Sequence, residues 1–139
     1  MRVPARKLGV HFPQKGTIGS AAYDLSSMET MEIGPGQTRI ISTGLACAIP
    51  QGFALLITSR SGMASRGIVV ANSPGIIDPD FRGQINVILR NENGTVWNVQ
   101  RGDRVAQALL VRTYEPEWIE VDELPPTQRG RGQLGSTGR

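Results

Sequence analysis

The sequence predicts an all-β domain, either a sandwich or a barrel of short strands. Its 139 residues include 17 glycines and 9 prolines, and helix breakers at this frequency exclude a helix bundle. Short apolar or alternating runs lie between the turns, a pattern typical of strands in sandwiches and barrels. The length suits a single domain, and no internal repeat divides the chain.

The individual elements are predicted from runs between turn residues. Residues 53–58 form a continuous apolar run, which predicts a strand, and residues 61–66 leave room for one or two helical turns. Apolar side chains alternate with their neighbours along residues 85–90 and again along 119–122, which predicts two further strands. Residues 103–115 contain neither glycine nor proline, and their valine, threonine and tyrosine content favours a strand over a helix.

The charge and the rare residue types exclude several classes of protein. Lysine and arginine outnumber acidic residues by 15 to 12, which fits a phosphate-bearing partner but predicts no specific nucleic-acid surface. Cys47 is the only cysteine, so an intrachain disulfide and a cysteine-rich zinc site are excluded. His11 is the only histidine, and we expect it at the surface.

No apolar run approaches the length of a membrane span, and the first residues lack the apolar core of a signal peptide. We therefore expect a soluble, cytoplasmic protein that has no membrane partner.

Residues 78–83 place a carboxylate at a predicted strand end. Asp78 follows the apolar Ile76 and Ile77 and begins the sequence Asp-Pro-Asp-Phe-Arg-Gly. Aspartate and proline are ordinary turn residues, so a hairpin turn explains the pattern. A carboxylate that a turn fixes beside apolar side chains can also act as a general base. The residues alone leave both interpretations open.

Three further segments carry polar residues beside turns or small residues. Residues 60–62, Arg-Ser-Gly, follow an apolar strand and can bind an anion through side chains and backbone. Gly102 begins a tight turn before the strand that carries Gln107, and Asp24 lies within a small-residue segment. Each segment is a weak signal by itself.

The last eleven residues, 129–139, have a different composition. They hold three arginines and four glycines, no acidic residue, and Leu134 as the only large apolar side chain. Such a segment has nothing to bury, so we expect it to be mobile until a ligand orders it. Its arginines, backbone N–H groups and hydroxyls suit a polyphosphate, and a solubilising tail is the alternative.

Taken together and in this order, five segments closely resemble the five motifs of the trimeric dUTPase family. They are residues 20–25 (SAAYDL), 60–68 (RSGMASRGI), 72–84 (NSPGIIDPDFRGQ), 102–107 (GDRVAQ) and 129–138 (RGRGQLGSTG). The resemblance implies a distorted jelly-roll subunit that forms a threefold homotrimer. It also implies hydrolysis of dUTP to dUMP and pyrophosphate with Mg²⁺, which keeps uracil out of DNA and supplies dUMP for dTMP synthesis.

The resemblance also implies residue roles. Asp78 matches the catalytic aspartate that activates the attacking water, and Asp24 matches an acid that supports the metal through water. Phe81 takes the place of a tyrosine that lies against deoxyribose and excludes a 2′-hydroxyl. The substrate-binding positions, for uracil, deoxyribose or triphosphate, are Arg60, Ser61, Gly62, Asn72, Gly75, Ile77, Phe81, Gln107, Arg129, Leu134, Gly135, Ser136 and Thr137.

The resemblance divides the chain into a core, residues 1–128, and a C-terminal arm, residues 129–139, that closes over a neighbouring subunit's active site. Leu134 stands where the family has a phenylalanine that stacks on uracil, and Gln133 replaces a glycine. Leucine has no π-face, so we expect weaker closure of the arm. Ser59 stands where a proline is common, and we expect a less stiff loop there.

Two alternatives belong to other functional classes. A catalytically silent dUTPase-like binding or regulatory protein would have lost some of the catalytic residues, whereas Asp78, Arg60, Gln107 and Arg129 are all present. A dCTP deaminase shares the fold but adds a catalytic glutamate, and residues 68–84 contain none. A nucleic-acid-binding module would rest only on the pI and on the arginines of the tail.

Overall fold

A computed structural model describes residues 1–8 and 11–132 of the chain. The described residues form strands and one short helix. In chain order they are β1 (Ala5–Lys7), β2 (Tyr23–Ser26), β3 (Met31–Ile33), β4 (Thr38–Cys47), β5 (Phe53–Thr58), α1 (Ser61–Ala64), β6 (Ile68–Val70), β7 (Gly75–Ile77), β8 (Ile85–Asn91), β9 (Trp97–Val99) and β10 (Arg104–Arg112). No described helix has both the length and the apolar character needed to cross a membrane.

Two four-stranded antiparallel sheets enclose the core. One sheet has the strand order β1-β4-β8-β6 and the other has the order β2-β10-β5-β7, while β3 and β9 form a small separate pair. Side chains from both large sheets, among them Ile41, Val87, Ile57 and Val105, belong to one buried cluster. This all-β architecture confirms the prediction of short strands in a sandwich or barrel, and it agrees with the distorted jelly roll that the resemblance implies.

The alternating pattern of β8 places one of its faces in the core. Ile85, Val87, Leu89 and Asn91 are buried, and the residues between them are exposed or half-buried. Asn91 is the polar exception, and its amide nitrogen donates hydrogen bonds to the carbonyl oxygens of Ile33 and Thr95, each at 2.8 Å. Burial of this amide is tolerated because its hydrogen bonds are made within the protein.

Most of the predicted elements are confirmed. Strands occupy residues 53–58, 85–91 and 104–112, and one short helix begins at Ser61. The strand predicted over residues 119–122 is wrong, because residues 113–132 contain no strand. The side chain of Ile119 is 75% exposed, and a strand needs a neighbour to satisfy its backbone groups. An alternating pattern therefore predicted an element that finds no partner in the described chain.

Candidate active site

Three of the predicted site segments meet in one row across a sheet. Asp24 on β2 lies opposite Gln107 on β10, and Gln107 lies opposite Thr58 at the end of β5. Ser59, Arg60 and Ser61 follow Thr58 along the chain. The antiparallel register thus brings residues from the first, second and fourth motifs to the same edge of the fold.

Two arginines hold the carboxylate of Asp24. The Nε of Arg60 donates to Oδ1 at 2.8 Å, and Nη1 of Arg104 donates to Oδ2 at 3.2 Å. Arg60 also donates through Nη1 to the backbone carbonyl oxygen of Arg104 at 3.0 Å. The Asp24 side chain is 14% exposed, so charge-assisted hydrogen bonds replace most of its water. We call Asp24, Arg60 and Arg104 the charged cluster.

Sequence reasoning missed Arg104. It lies inside the fourth motif, but the resemblance gave a role there only to Gln107. The signal that could have found it is its place at the start of β10, two residues beyond the Gly102 turn. From there its side chain reaches Asp24 on the neighbouring strand β2.

Ser59, the residue before Arg60, accepts two hydrogen bonds. Its backbone carbonyl oxygen accepts a hydrogen bond from Nε2 of Gln107 at 3.0 Å, and its hydroxyl oxygen accepts one from the backbone N–H of Val70 at 2.8 Å. A proline has no hydroxyl and could not make the second bond. We expected a less stiff loop here, but this hydrogen bond ties the end of β5 to β6.

Ser61 and Gly62 lie in the first turn of α1, directly after Arg60. The Arg60 carbonyl oxygen accepts hydrogen bonds from the N–H groups of Met63 and Ala64, at 3.0 and 2.9 Å. Ser61 and Gly62 are both exposed. The helical turn therefore presents the Ser61 hydroxyl and the Gly62 backbone to solvent beside the charged cluster.

A second region carries Asp78. Residues 78–83 connect β7 to β8, and these strands belong to different sheets, so the connection is a crossover between sheets and the hairpin interpretation is wrong. The Asp78 carbonyl oxygen accepts a hydrogen bond from the Phe81 N–H at 3.2 Å. Nη1 of Arg82 donates to the carbonyl oxygens of Pro79 and Phe81, at 2.6 and 2.9 Å. We call residues 78–83 the crossover turn.

Four of the predicted substrate-binding residues lie in or beside β7. A Cβ atom built on Gly75 would lie 3.0 Å from Nδ2 of Asn72, so the Asn72 amide lies close against the first residue of β7. Ile77, at the other end of the strand, is half-buried and packs against the core. Phe81 is 40% exposed. Asn72 and Phe81 thus stand near opposite ends of β7.

The predicted arm residues have different outcomes. Arg129 is exposed and donates through Nε to the carbonyl oxygen of Gly132 at 3.3 Å. Leu134, Gly135, Ser136 and Thr137 lie outside the described residues.

Cys47 lies beneath the crossover turn. Burial raises the pKa of its thiol, and the nearby guanidinium of Arg82 lowers it in part. The thiol and Arg82 share a cavity of about 270 Å³ with residues 4–6, Ala46 and Ala48. Because the thiolate is the reactive form of cysteine, a raised pKa makes Cys47 a poor nucleophile.

His11 is exposed, as expected. It lines a cleft of about 280 Å³ together with Asp24 and Arg104, among other residues. It thus borders the charged cluster from the N-terminal side.

Comparison with known proteins shows the family to which the chain is similar. A family model described as dUTPase matches residues 9–138 of the chain. The chain is 41% identical to the deoxyuridine 5'-triphosphate nucleotidohydrolase of Nautilia profundicola over 142 residues, which cover 100% of both chains. It is 44% identical to the protein of that name from Wolinella succinogenes over 128 residues, covering 91% of this chain and 86% of the other.

Solved structures show the same fold. A dUTPase variant from Staphylococcus bacteriophage 80alpha, in complex with dUpNHpp, matches with a TM-score of 0.92 and 25% identity over 99% of each chain. A dUTPase variant from phage phi11 of S. aureus, in which a structural Mg(II) ion is coordinated, matches with a TM-score of 0.83 and 24% identity. That alignment covers 91% of this chain and 100% of the other.

Proposed function

Because this chain belongs to the dUTPase family, we propose that it hydrolyses dUTP to dUMP and pyrophosphate, with Asp78 as general base and the charged cluster as part of the triphosphate site. The observation that carries the assignment of the triphosphate site is the row across one sheet. Asp24 and Gln107 lie in that row, and Arg60 contacts Asp24 from the end of β5. Cations and amide donors gathered at one edge suit a chain of phosphates.

The role proposed for Asp78 is to accept a proton from the attacking water. The water oxygen then bonds to the α-phosphorus, the bond from that phosphorus to the bridging oxygen breaks, and pyrophosphate leaves with the electron pair. Hydrolysis at phosphorus depends mainly on positioning and on stabilising the charged oxygens. The hydrogen bond between the Asp78 carbonyl oxygen and Phe81 supports the positioning, because it fixes the turn from which the carboxylate projects.

The charged cluster supplies the electrostatic part of the site. Arg60 uses Nε for Asp24 and Nη1 for the Arg104 backbone. Because a guanidinium has five N–H donors in a fixed fork, Arg60 keeps others for phosphate oxygens. Ser61 and Gln107 add a hydroxyl and an amide nearby. Asp24 orients Arg60 and lowers the net charge of an edge that otherwise gathers two arginines.

The donor set fits a Mg²⁺ ion held mainly by phosphate oxygens and waters, which is how proteins usually bind this ion. The described residues contain no group of three or more acidic, histidine or cysteine side chains that could hold a metal. Both Asp24 oxygens accept hydrogen bonds from arginines, and each keeps a lone pair for a metal-bound water. When bound, Mg²⁺ neutralises charge on the phosphate oxygens.

A complete site, as we propose, combines parts of several copies in a homotrimer. Asp78 follows Ile77, which pairs with Leu55 near the start of β5, whereas Gln107 pairs with Thr58 at its end. At the usual strand spacings, Asp78 and Gln107 are separated by roughly 16 Å on one chain. This separation supports a site in which Asp78 of one copy and the charged cluster of another copy face the same nucleotide.

The arm of a further copy would close this site. We propose that Arg129, Ser136 and Thr137 bind the terminal phosphate, while Leu134 covers the uracil and Gly135 lets the backbone approach. The exposed position of Arg129 supports this role, because an exposed guanidinium can bind a phosphate group bidentately. Removal of residues 129–139 should lower kcat and leave the assembly intact, and a truncated protein with the parental kcat would contradict the role of the arm.

A nucleotide panel tests the proposed function. The protein is mixed with Mg²⁺ and dUTP, UTP, dTTP or dCTP, and the nucleotide product, pyrophosphate and ammonia are measured. We expect one dUMP and one pyrophosphate for each dUTP consumed and little turnover of the other nucleotides. Binding of dUTP without product would indicate the silent relative, and ammonia from dCTP would indicate a deaminase.

Light scattering should give three times the chain mass of 15.0 kDa. The substrate also supports a cytoplasmic location, where free nucleotides are made and used.

A further inference from the structure

Gly83 ends the crossover turn although the backbone does not require a glycine there. Its φ is not positive, unlike that of six other glycines among residues 1–8 and 11–132. The residue is exposed, so solvent lies beside it and the core does not exclude a methyl group. The usual reasons for a glycine, a left-handed backbone or a crowded interior, are therefore absent.

The neighbour that excludes a side chain at this position is the ring of Phe81. A Cβ atom built on Gly83 would lie 2.6 Å from Cζ and 2.9 Å from Cε2 of that ring. Carbon atoms in favourable contact are about 3.5–4.0 Å apart. The Phe81 ring thus occupies the volume that any side chain at position 83 would need.

We propose that Gly83 is a positioning residue that determines specificity. By lacking a Cβ atom it sets the place of the Phe81 ring, and the place of the ring decides how well the site rejects a 2′-hydroxyl. The inference rests on the proposed function, in which Phe81 lies against the deoxyribose. It adds a residue to that function, because the discrimination then depends on Gly83 as well as on the ring itself.

A methyl group at position 83 should move the ring and not the backbone. The atoms that would collide are at the far end of a side chain with two rotatable bonds. The backbone of the crossover turn is held by Arg82, whose guanidinium donates hydrogen bonds to the carbonyl oxygens of Pro79 and Phe81. The cheapest response to Gly83→Ala is therefore a displaced ring on an intact turn.

The test compares kcat/KM for dUTP and for UTP in the parent, Gly83→Ala, Phe81→Ala and the double variant. An apolar contact discriminates against an added hydroxyl by about a hundredfold at most, and we expect Gly83→Ala to lower the dUTP preference by about tenfold. In the Phe81→Ala background, Gly83→Ala should change the preference by less than about twofold, because the colliding ring is gone.

Gly94→Ala is the matched control, since Gly94 is exposed, has no positive φ, and has nothing within 4 Å of a built Cβ.

Two results would overturn the proposal: an unchanged dUTP preference in Gly83→Ala, or an equal loss on the Phe81→Ala background, which would mean that Gly83 acts through the backbone. A parent protein that hydrolyses neither nucleotide would instead contradict the proposed function. In that case a crystal structure of Gly83→Ala still tests the placement, because a ring in its parental position would refute it. Thermal unfolding near the parental temperature shows that each variant is folded.

Discussion

The hydrogen bonds of the charged cluster join residues far apart in the sequence, whereas those of the crossover turn join residues close in the sequence. Asp24, Arg60 and Arg104 are joined by hydrogen bonds between residues 36 to 80 positions apart in the chain. The crossover turn is held by hydrogen bonds between residues no more than three positions apart. The cluster can therefore exist only when its sheet is assembled, whereas the turn depends mainly on its own residues.

This difference predicts how each region responds to substitution. Changes in the charged cluster should lower the free energy of unfolding as well as the affinity for the triphosphate, because the same contacts serve both. Changes in the crossover turn should alter turnover or specificity and leave the free energy of unfolding nearly unchanged. Each of the following substitutions tests one side of this comparison.

The largest effect should come from Asp78→Asn in the crossover turn. Loss of a general base typically lowers turnover by about 10²–10⁴-fold, which is roughly 3–5 kcal/mol of barrier. The amide has the same shape, so the free energy of unfolding and the assembly should match those of the parent. Steady-state kinetics and urea unfolding measure the two quantities, and a variant that keeps most of its kcat would exclude Asp78 as the base.

The next largest effect should come from Asp24→Ala in the charged cluster. The variant loses two hydrogen bonds between charged groups and leaves the partly buried Arg60 without its acidic partner. Hydrogen bonds to charged groups contribute about 1.5–3 kcal/mol, and urea unfolding should show a loss of that size. Glu92→Ala removes an exposed ion pair with Arg90 at 3.7 Å and should cost about 0–1 kcal/mol. Equal losses in the two variants would contradict the structural importance of the cluster.

Ser59→Ala should have a smaller effect, and its effect on nucleotide affinity should depend on the number of phosphates in the nucleotide. The variant loses the hydroxyl that accepts the Val70 N–H, a change of about 1 kcal/mol. The backbone carbonyl oxygen of Ser59 holds Gln107, and it should be less well fixed once the bond to Val70 is lost. We therefore expect the affinity for dUTP to fall by roughly fivefold, while the affinity for dUMP changes little. Calorimetric titration with both nucleotides measures the ratio of the dUTP and dUMP affinities. Ser59→Thr keeps a hydroxyl at this position and should keep the parental ratio. A parallel loss for dUMP would place the effect outside the triphosphate site.

Arg82→Met should have the smallest effect. Arg82 is exposed, so water can replace the two hydrogen bonds that its guanidinium donates, and the free energy of unfolding should change by less than about 0.5 kcal/mol. Turnover should fall severalfold because the crossover turn is less well held, with thermal unfolding close to that of the parent. Arg90→Met is the matched control on the surface. If Arg82→Met unfolds like Asp24→Ala, the turn is not the local structure described above.

The same contrast explains what the sequence predicted. Asp78 was placed correctly at a strand end, because an apolar run followed by Asp-Pro is a local signal. Asp24 and Gln107 were identified through their motifs, but their position in one row depends on the register between strands distant in the chain. Arg104 was missed for that reason. The strand predicted over residues 119–122 was wrong because alternation specifies a face and supplies no partner strand.

The positions of Asp78 and Gln107 near opposite ends of β5 have a genetic consequence. In the proposed trimer each chain contributes its crossover turn to one active site and its charged cluster to another. Two inactive alleles, Asp78→Asn and Arg60→Ala, should therefore complement each other when expressed together, since mixed assemblies contain some sites with both parts intact. An allele that carries both substitutions should lower the activity of the wild-type chains with which it assembles, because each such chain disables two sites instead of one.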